Sequence, residues 1–254
     1  MARRVPEGPP PPPVVQKVRL RYAKRGRLRF TSHRDFARAF ERALRRAQVP
    51  MGYSAGFSPH PKISYVGAAP TGVASEAEYL EIGLAREVDV EVLRRAIDAA
   101  LPEGLDIVEA VPAGPGSLPE RMHASAWRIE LPGITPETAA AAVAVFLACD
   151  VVPIERPTKD GTRTVDARSP VLSAAVSGAT IEPDHEQRAI LELVVRQVAP
   201  AVRPDDVLAA LRAIAGLALE LPPVAVRVAQ GPLDDAGAVG DPLAADRITA
   251  ETTL

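Results

Sequence analysis

A mixed α+β fold with antiparallel sheets is predicted from three observations. Short segments alternate apolar and polar residues, led by Lys17–Tyr22, as half-buried strands do. Longer segments space their apolar residues by three and four and open on capping residues, as helices do. These two kinds of segment follow one another as strand, helix, strand, strand, helix, strand, and the second half of the chain runs through a similar order.

The first strand is Lys17–Tyr22, with Val18, Leu20 and Tyr22 facing inward and Lys17, Arg19 and Arg21 on the other face. Lys24-Arg-Gly26 turns the chain, and Arg27-Leu-Arg-Phe30 alternates again as a strand that turns Phe30 to the core. Ser32 with Asp35 three residues on has the form of a helix N-cap with a capping box. That helix extends to about Gln48, before Pro50, burying Phe36, Phe40, Leu44 and Ala47 and turning Arg34, Arg38, Arg42 and Arg46 outward. Strands over Lys62–Val66 and Glu78–Leu84 follow. Asp89 caps a helix to Ala100 with Val92, Leu93, Ala96 and Ile97 apolar, and Leu105–Val111 is the last strand of this half. The order is the ferredoxin-like βαββαβ arrangement.

The second half begins with a strand at Ala126–Leu131 and a helix from Thr135, with Pro136 in its first turn, to Cys149. Val151–Arg156 and Thr162–Arg168 flank the turn Lys159-Asp-Gly161 as a hairpin. The β-branched segment Ala189–Arg196 is a strand or a helix. Arg203–Ala215 is a helix opened by Pro204, and Pro223–Ala229 the final strand. The expected organisation is two tandem ferredoxin-like domains, over residues 17–113 and 120–230. They are flanked by a disordered Pro-rich arm (1–16, with Pro9–Pro13 consecutive) and a disordered acidic tail (231–254).

Composition narrows the function classes. A single cysteine, Cys149, excludes a disulfide framework and a self-contained iron–sulfur cluster. The longest apolar run, Ala139–Cys149, has eleven residues, too few to span a bilayer. No apolar signal core follows Met-Ala-Arg-Arg-Val-Pro, so a cytoplasmic location is expected. His33, His60, His123 and His185 show no ligand spacing, and neither a metal nor a cofactor site is expected. The net charge of −2 hides an asymmetry: residues 1–65 hold fifteen of the thirty Lys and Arg but three of the thirty-two Asp and Glu. Such a cluster favours a polyanionic partner.

Arginine binds phosphate bidentately, so the candidate nucleic-acid ligands in the first half are Arg19, Arg21, Arg27, Arg29, Arg34, Arg38 and Arg42. Tyr53, Phe57, His60 and Lys62 join them from the segment Tyr53–Lys62, where Gly56 permits a tight turn and prolines on both sides of His60 restrict its backbone. Lys159 and Arg163 offer a second contact on the hairpin. His33, Asp35 and His60 are the candidate acid–base groups should the protein cut phosphodiesters.

Leu28-Arg-Phe-Thr-Ser-His-Arg-Asp35, Phe40-Glu-Arg-Ala-Leu-Arg-Arg-Ala47, Gly56-Phe-Ser-Pro-His-Pro61 and Ser75-Glu-Ala-Glu-Tyr-Leu80 together resemble the radical-SAM-linked family of bacterial proteins, a domain of unknown function, in its separate-chain form. The chain is also distantly similar to the repeat-associated RNA-binding proteins of CRISPR systems, some of which cleave RNA with histidine. The resemblance implies an accessory role beside a separate radical SAM protein or RNA-processing enzyme, because this chain lacks the Cys-x-x-x-Cys-x-x-Cys that holds a radical SAM cluster. The leading expectation is a non-catalytic RNA-binding module linked to RNA modification or processing. The alternatives are a metal-independent endoribonuclease using His33 and His60, and a protein-interaction adaptor whose basic half docks an acidic partner.

Overall fold

The computed structural model describes residues 11–158, 161–181 and 186–252. They form two compact units: one runs up to Glu120 and is joined by the segment from Pro242 onward, and the other is Arg121–Asp241. No helix among the described residues is long and apolar enough to cross a membrane.

In the first unit β1 (Gln16–Lys24), α1 (His33–Arg46), β2 (Ile63–Val66), β3 (Ala74–Leu84), α2 (Val90–Ala100) and β4 (Leu105–Pro112) follow in that order. The strands lie antiparallel in the order β4-β1-β3-β2. Alternation along β1 puts Val18, Leu20 and Tyr22 into one core with Phe36, Phe40 and Leu44 of α1 and Leu93 and Ile97 of α2. Tyr22 and Phe36 stack at 4.2 Å between ring centroids. Ser32 caps α1 by accepting from the Asp35 amide at 3.2 Å, and its hydroxyl donates to the Asp35 carboxylate at 2.7 Å. Asp89 caps α2 through the Val92 amide, while Val92 itself, expected on the apolar face, is exposed.

Three expectations are corrected. Gly26–Phe30 is a 3-10 turn, not a strand. Gly26 has a positive φ of 53°, and the amides of Leu28 and Thr31 close onto the carbonyls of Arg25 and Leu28, so the pairing groups a strand needs are spent locally. Within the acidic tail expected to be disordered, Ala244–Thr252 forms helix α5, preceded by a bridge between Leu233 and Val239. Its physical cause is one buried carboxylate: Asp246 accepts from Arg19 at 2.7 and 3.0 Å and from the Gly114 amide at 2.9 Å. The neighbouring Arg247 donates to both Glu109 oxygens, at 2.6 and 2.9 Å. Of the Pro-rich arm, residues 1–10 lie outside the described part. Its end is tied down, since the Val15 amide donates to Leu84 and Gln16 opens β1.

The second unit contains β5 (Ala124–Pro132), α3 (Pro136–Leu147), β6 (Pro153–Thr158), β7 (Gly161–Asp166), β8 (Val171–Ile181), β9 (Glu186–Arg196), α4 (Pro204–Ala215) and β10 (Val224–Gly231). Its sheet runs β10-β5-β9-β8, all antiparallel. The segment Ala189–Arg196, left between strand and helix by its sequence, is part of β9. The hairpin β6-β7 is a separate two-stranded sheet, and the sheet position it was expected to share belongs to β8. β8 has weak strand character, being rich in Ala, Ser and Gly, and its register with β9 from Val171 opposite Val195 to Ile181 opposite Glu186 supplies what propensity does not. Gly178 lets the start of α3 approach the strand, because a β-carbon there would lie 2.6 Å from the Cγ of Pro136.

Arg19 is 1% exposed and shared between Asp246 and Glu81. Removing one member of such a buried pair leaves an uncompensated charge, so Asp246→Ala is expected to cost about 3–5 kcal/mol in chemical denaturation. Burial pushes the Glu81 carboxyl up, but hydrogen bonds from Lys17 and Arg19 outweigh it and hold the group below its ordinary value of 4.5. Glu81 therefore contributes stability above that value, lost as pH falls through its lower folded value. Glu81→Gln should unfold at lower temperature at neutral pH and flatten the acid limb of the melting-temperature profile.

Candidate nucleic-acid interface

The basic residues of the first unit divide into a neutralised set and an open set. On β1, Lys17 pairs with Glu81 at 2.9 Å, Arg19 is buried, and Arg21 faces Glu109 at 4.0 Å. Arg19 is thus a structural cation and not a surface phosphate ligand. Alternation placed it opposite the core, correctly, but that face is covered by α5. Arg25 is also occupied, held by Glu76 and Asp106, and these carboxylates raise its pKa further.

The open set lies on α1 and the 3-10 turn before it. Arg34, Arg38, Arg42 and Arg46 are exposed at every fourth position, about 6 Å of rise apart. Arg38 approaches Asp35 only at 4.0 Å between side chains more than half exposed, where screening leaves little attraction. Arg27, Arg34, Arg42 and Arg46 form no ion pair among the described residues. Arg27 is exposed, and Arg29 holds its guanidinium 4.8 Å from the centroid of the Phe30 ring.

Tyr53, Phe57, His60 and Lys62 are all exposed. Tyr53 pairs with Pro61 in an isolated bridge, the Ser54 amide donates to the His60 carbonyl at 2.9 Å, and the His60 amide donates to the Ser54 hydroxyl at 3.0 Å. These bonds close residues 54–60 into a projecting loop, and Gly56 at its tip has a φ of 129° that only glycine adopts readily.

The candidate acid–base groups take separate positions. His33, in the first turn of α1, meets Tyr65 edge-on at 4.9 Å. Pro61, next to His60, lines a cavity with Glu41 and Arg45, which lie two to three turns, about 12–18 Å, further along the helix. Asp35 is engaged by Ser32 in the cap. The Tyr65 hydroxyl is buried without a hydrogen-bond partner among the described residues, and burial with the nearby Glu41 charge raises its pKa. Among the described residues no group of three or more His, Cys, Asp or Glu could hold a metal ion.

In the second unit Arg163 is exposed on β7, directly across the hairpin from Arg156. Arg156 is spent on Asp206 of α4, its Nε donating at 2.9 Å, which fixes the hairpin to that helix. Lys159 and His185 lie outside the described residues. Phe30 is a candidate that the sequence reading did not include. Strand alternation assigned it to the core, whereas the 3-10 turn leaves it 59% exposed, and the adjacent arginines were the signal that could have found it.

The family model described as "Uncharacterized protein conserved in bacteria (DUF2344)" matches residues 17–204. No curated protein matches the chain. Among solved structures, an unknown protein from Galdieria sulphuraria is 14% identical, with 83% of this chain and 95% of that chain covered and a TM-score of 0.24. DyPB from Rhodococcus jostii RHA1 is 12% identical, covering 79% and 84%, with a TM-score of 0.21. The encapsulated DyP-type peroxidase from Mycobacterium smegmatis is 9% identical, covering 88% and 94%, with a TM-score of 0.22.

Proposed function

The chain belongs to the DUF2344 family of uncharacterized proteins conserved in bacteria, and on that footing we propose that it is a non-catalytic RNA-binding module that presents RNA to a modification or processing enzyme. The observation that carries this reading is the open arginine face of α1. Four arginines at helical spacing point to solvent in a unit whose other basic residues are largely consumed by acids. Leaving like charges four residues apart on one helix is mildly destabilising, a cost that an anionic ligand turns into affinity. Arg27, Arg29, Arg34, Arg38 and Arg42 would hold phosphates, Tyr53, Phe57, His60 and Lys62 would reach the strand from the loop, and Arg163 would add a contact from the hairpin.

We further infer that each unit is a ferredoxin-like domain. The strand orders β4-β1-β3-β2 and β10-β5-β9-β8, each with two helices between strands, support this, with β6-β7 as an insertion in the second unit. The partner this reading implies is a separate radical SAM protein in the cytoplasm, which would bring the cluster that one cysteine cannot hold.

The test is a fluorescence-anisotropy titration of labelled tRNA and an unstructured RNA at several salt concentrations, with the RNA then run on a gel. Engagement of about six phosphates gives a log–log salt slope near −4 on single strands, and each of Arg34→Ala and Arg42→Ala should reduce it by about 0.7. The RNA should stay intact. No binding at low salt would overturn the reading in favour of a protein adaptor, and discrete EDTA-resistant cuts lost in His33→Ala would replace it with a nuclease.

A further inference from the structure

The 3-10 turn at Gly26–Phe30 holds an aromatic ring in water and fixes it there. Leu28 of the same turn packs against the core of the first unit. The backbone on both sides of Phe30 is pinned: the Arg29 carbonyl accepts from the Gly72 amide at 2.8 Å, and the Thr31 amide donates to Leu28 at 2.9 Å. The loop that carries Gly72 passes beside the ring, since a β-carbon on Gly72 would stand 3.9 Å from its Cδ1 and Cε1 atoms. The Arg29 guanidinium adds a cation at 4.8 Å, and the exposed Arg27 and Arg34 lie within four residues in sequence. Phe57 is more exposed, but no cation or ring contacts it among the described residues.

We propose that Phe30 is the stacking platform for an unpaired RNA base, so that the ligand of this surface is single-stranded RNA. This inference rests on the RNA-binding reading and specifies its substrate. Every base offers a π-face to an exposed ring; Arg29 lies over one face of Phe30 and strengthens it by cation–π attraction, so the base takes the other face while the guanidinium charge favours the flanking phosphate. A duplex keeps its bases stacked on one another and has none to give, so a platform of this kind selects unpaired strands. The rigid backbone means that little ordering of the protein opposes the contact.

The full-length protein is titrated with fluorescein-labelled oligouridine and with a blunt RNA duplex of the same length. Phe30→Ala should weaken oligouridine binding about tenfold and leave duplex binding unchanged. Phe30→Trp should keep the affinity, and its indole emission should be quenched by oligouridine and not by the duplex. The only natural tryptophan, Trp127, is buried, so wild-type protein supplies the baseline. Both variants should keep the wild-type melting temperature, because the ring is largely outside the core. The inference is overturned if Phe30→Ala binds both probes as wild type does, or if saturating oligouridine leaves Phe30→Trp emission unchanged. In either case salt-dependent binding by wild type keeps the broader RNA reading intact. Absence of binding by wild type removes both.

Discussion

Burying the Arg19 guanidinium is the constraint around which the first unit is arranged. A desolvated cation is tolerable only when its charge is matched and its donors are used. Nε goes to Glu81 on the adjacent strand, Nη1 to both oxygens of Asp246, and Nη2 to the Gly116 carbonyl. Glu81 is close enough to serve because β1 and β3 pair with Arg19 opposite Glu81. Asp246 arrives from a helix more than two hundred residues away in sequence. The segment from Pro242 onward therefore belongs with the first unit, and the long-range ion pair gives a physical reason for that assignment.

The same pairing decides where positive potential remains. Strand β1 carries three basic residues on one face, and Glu81, Glu109 and Asp246 consume their charge. Helix α1 has only Asp35 and Glu41 among its acids, both in long, exposed pairs. The basic excess of the first quarter of the chain is thereby displaced from the sheet to the helix and the turn before it. The hairpin of the second unit shows the same division on a smaller scale: Arg156 is fixed by Asp206 and Arg163, across from it, is left to solvent.

How much of this was legible can be judged residue by residue. Ser32 and Asp89 announce the starts of α1 and α2 because capping depends on neighbours within one helical turn. Phe36, Phe40 and Leu44 announce the buried stripe for the same reason. Arg-Leu-Arg-Phe alternates as a strand does and predicts Phe30 inside, whereas a positive φ at Gly26 and local amide–carbonyl bonds close the segment into a turn. β8 is not legible in the sequence because Ser, Ala and Gly carry little strand preference of their own, and the partner that orders them lies elsewhere in the chain.

By itself the sequence determined the capped helices, the order of strands and helices in the first unit, and the concentration of arginine in the first quarter. All of these are properties of short windows or of composition. Only the tertiary structure decided which arginines are paired inside the protein and which are left exposed to solvent. Burial and charge pairing are set by residues brought together from distant parts of the chain. Arg19 and Arg34 are indistinguishable as letters, and what separates them is that α5 carries Asp246 to one while nothing among the described residues neutralises the other.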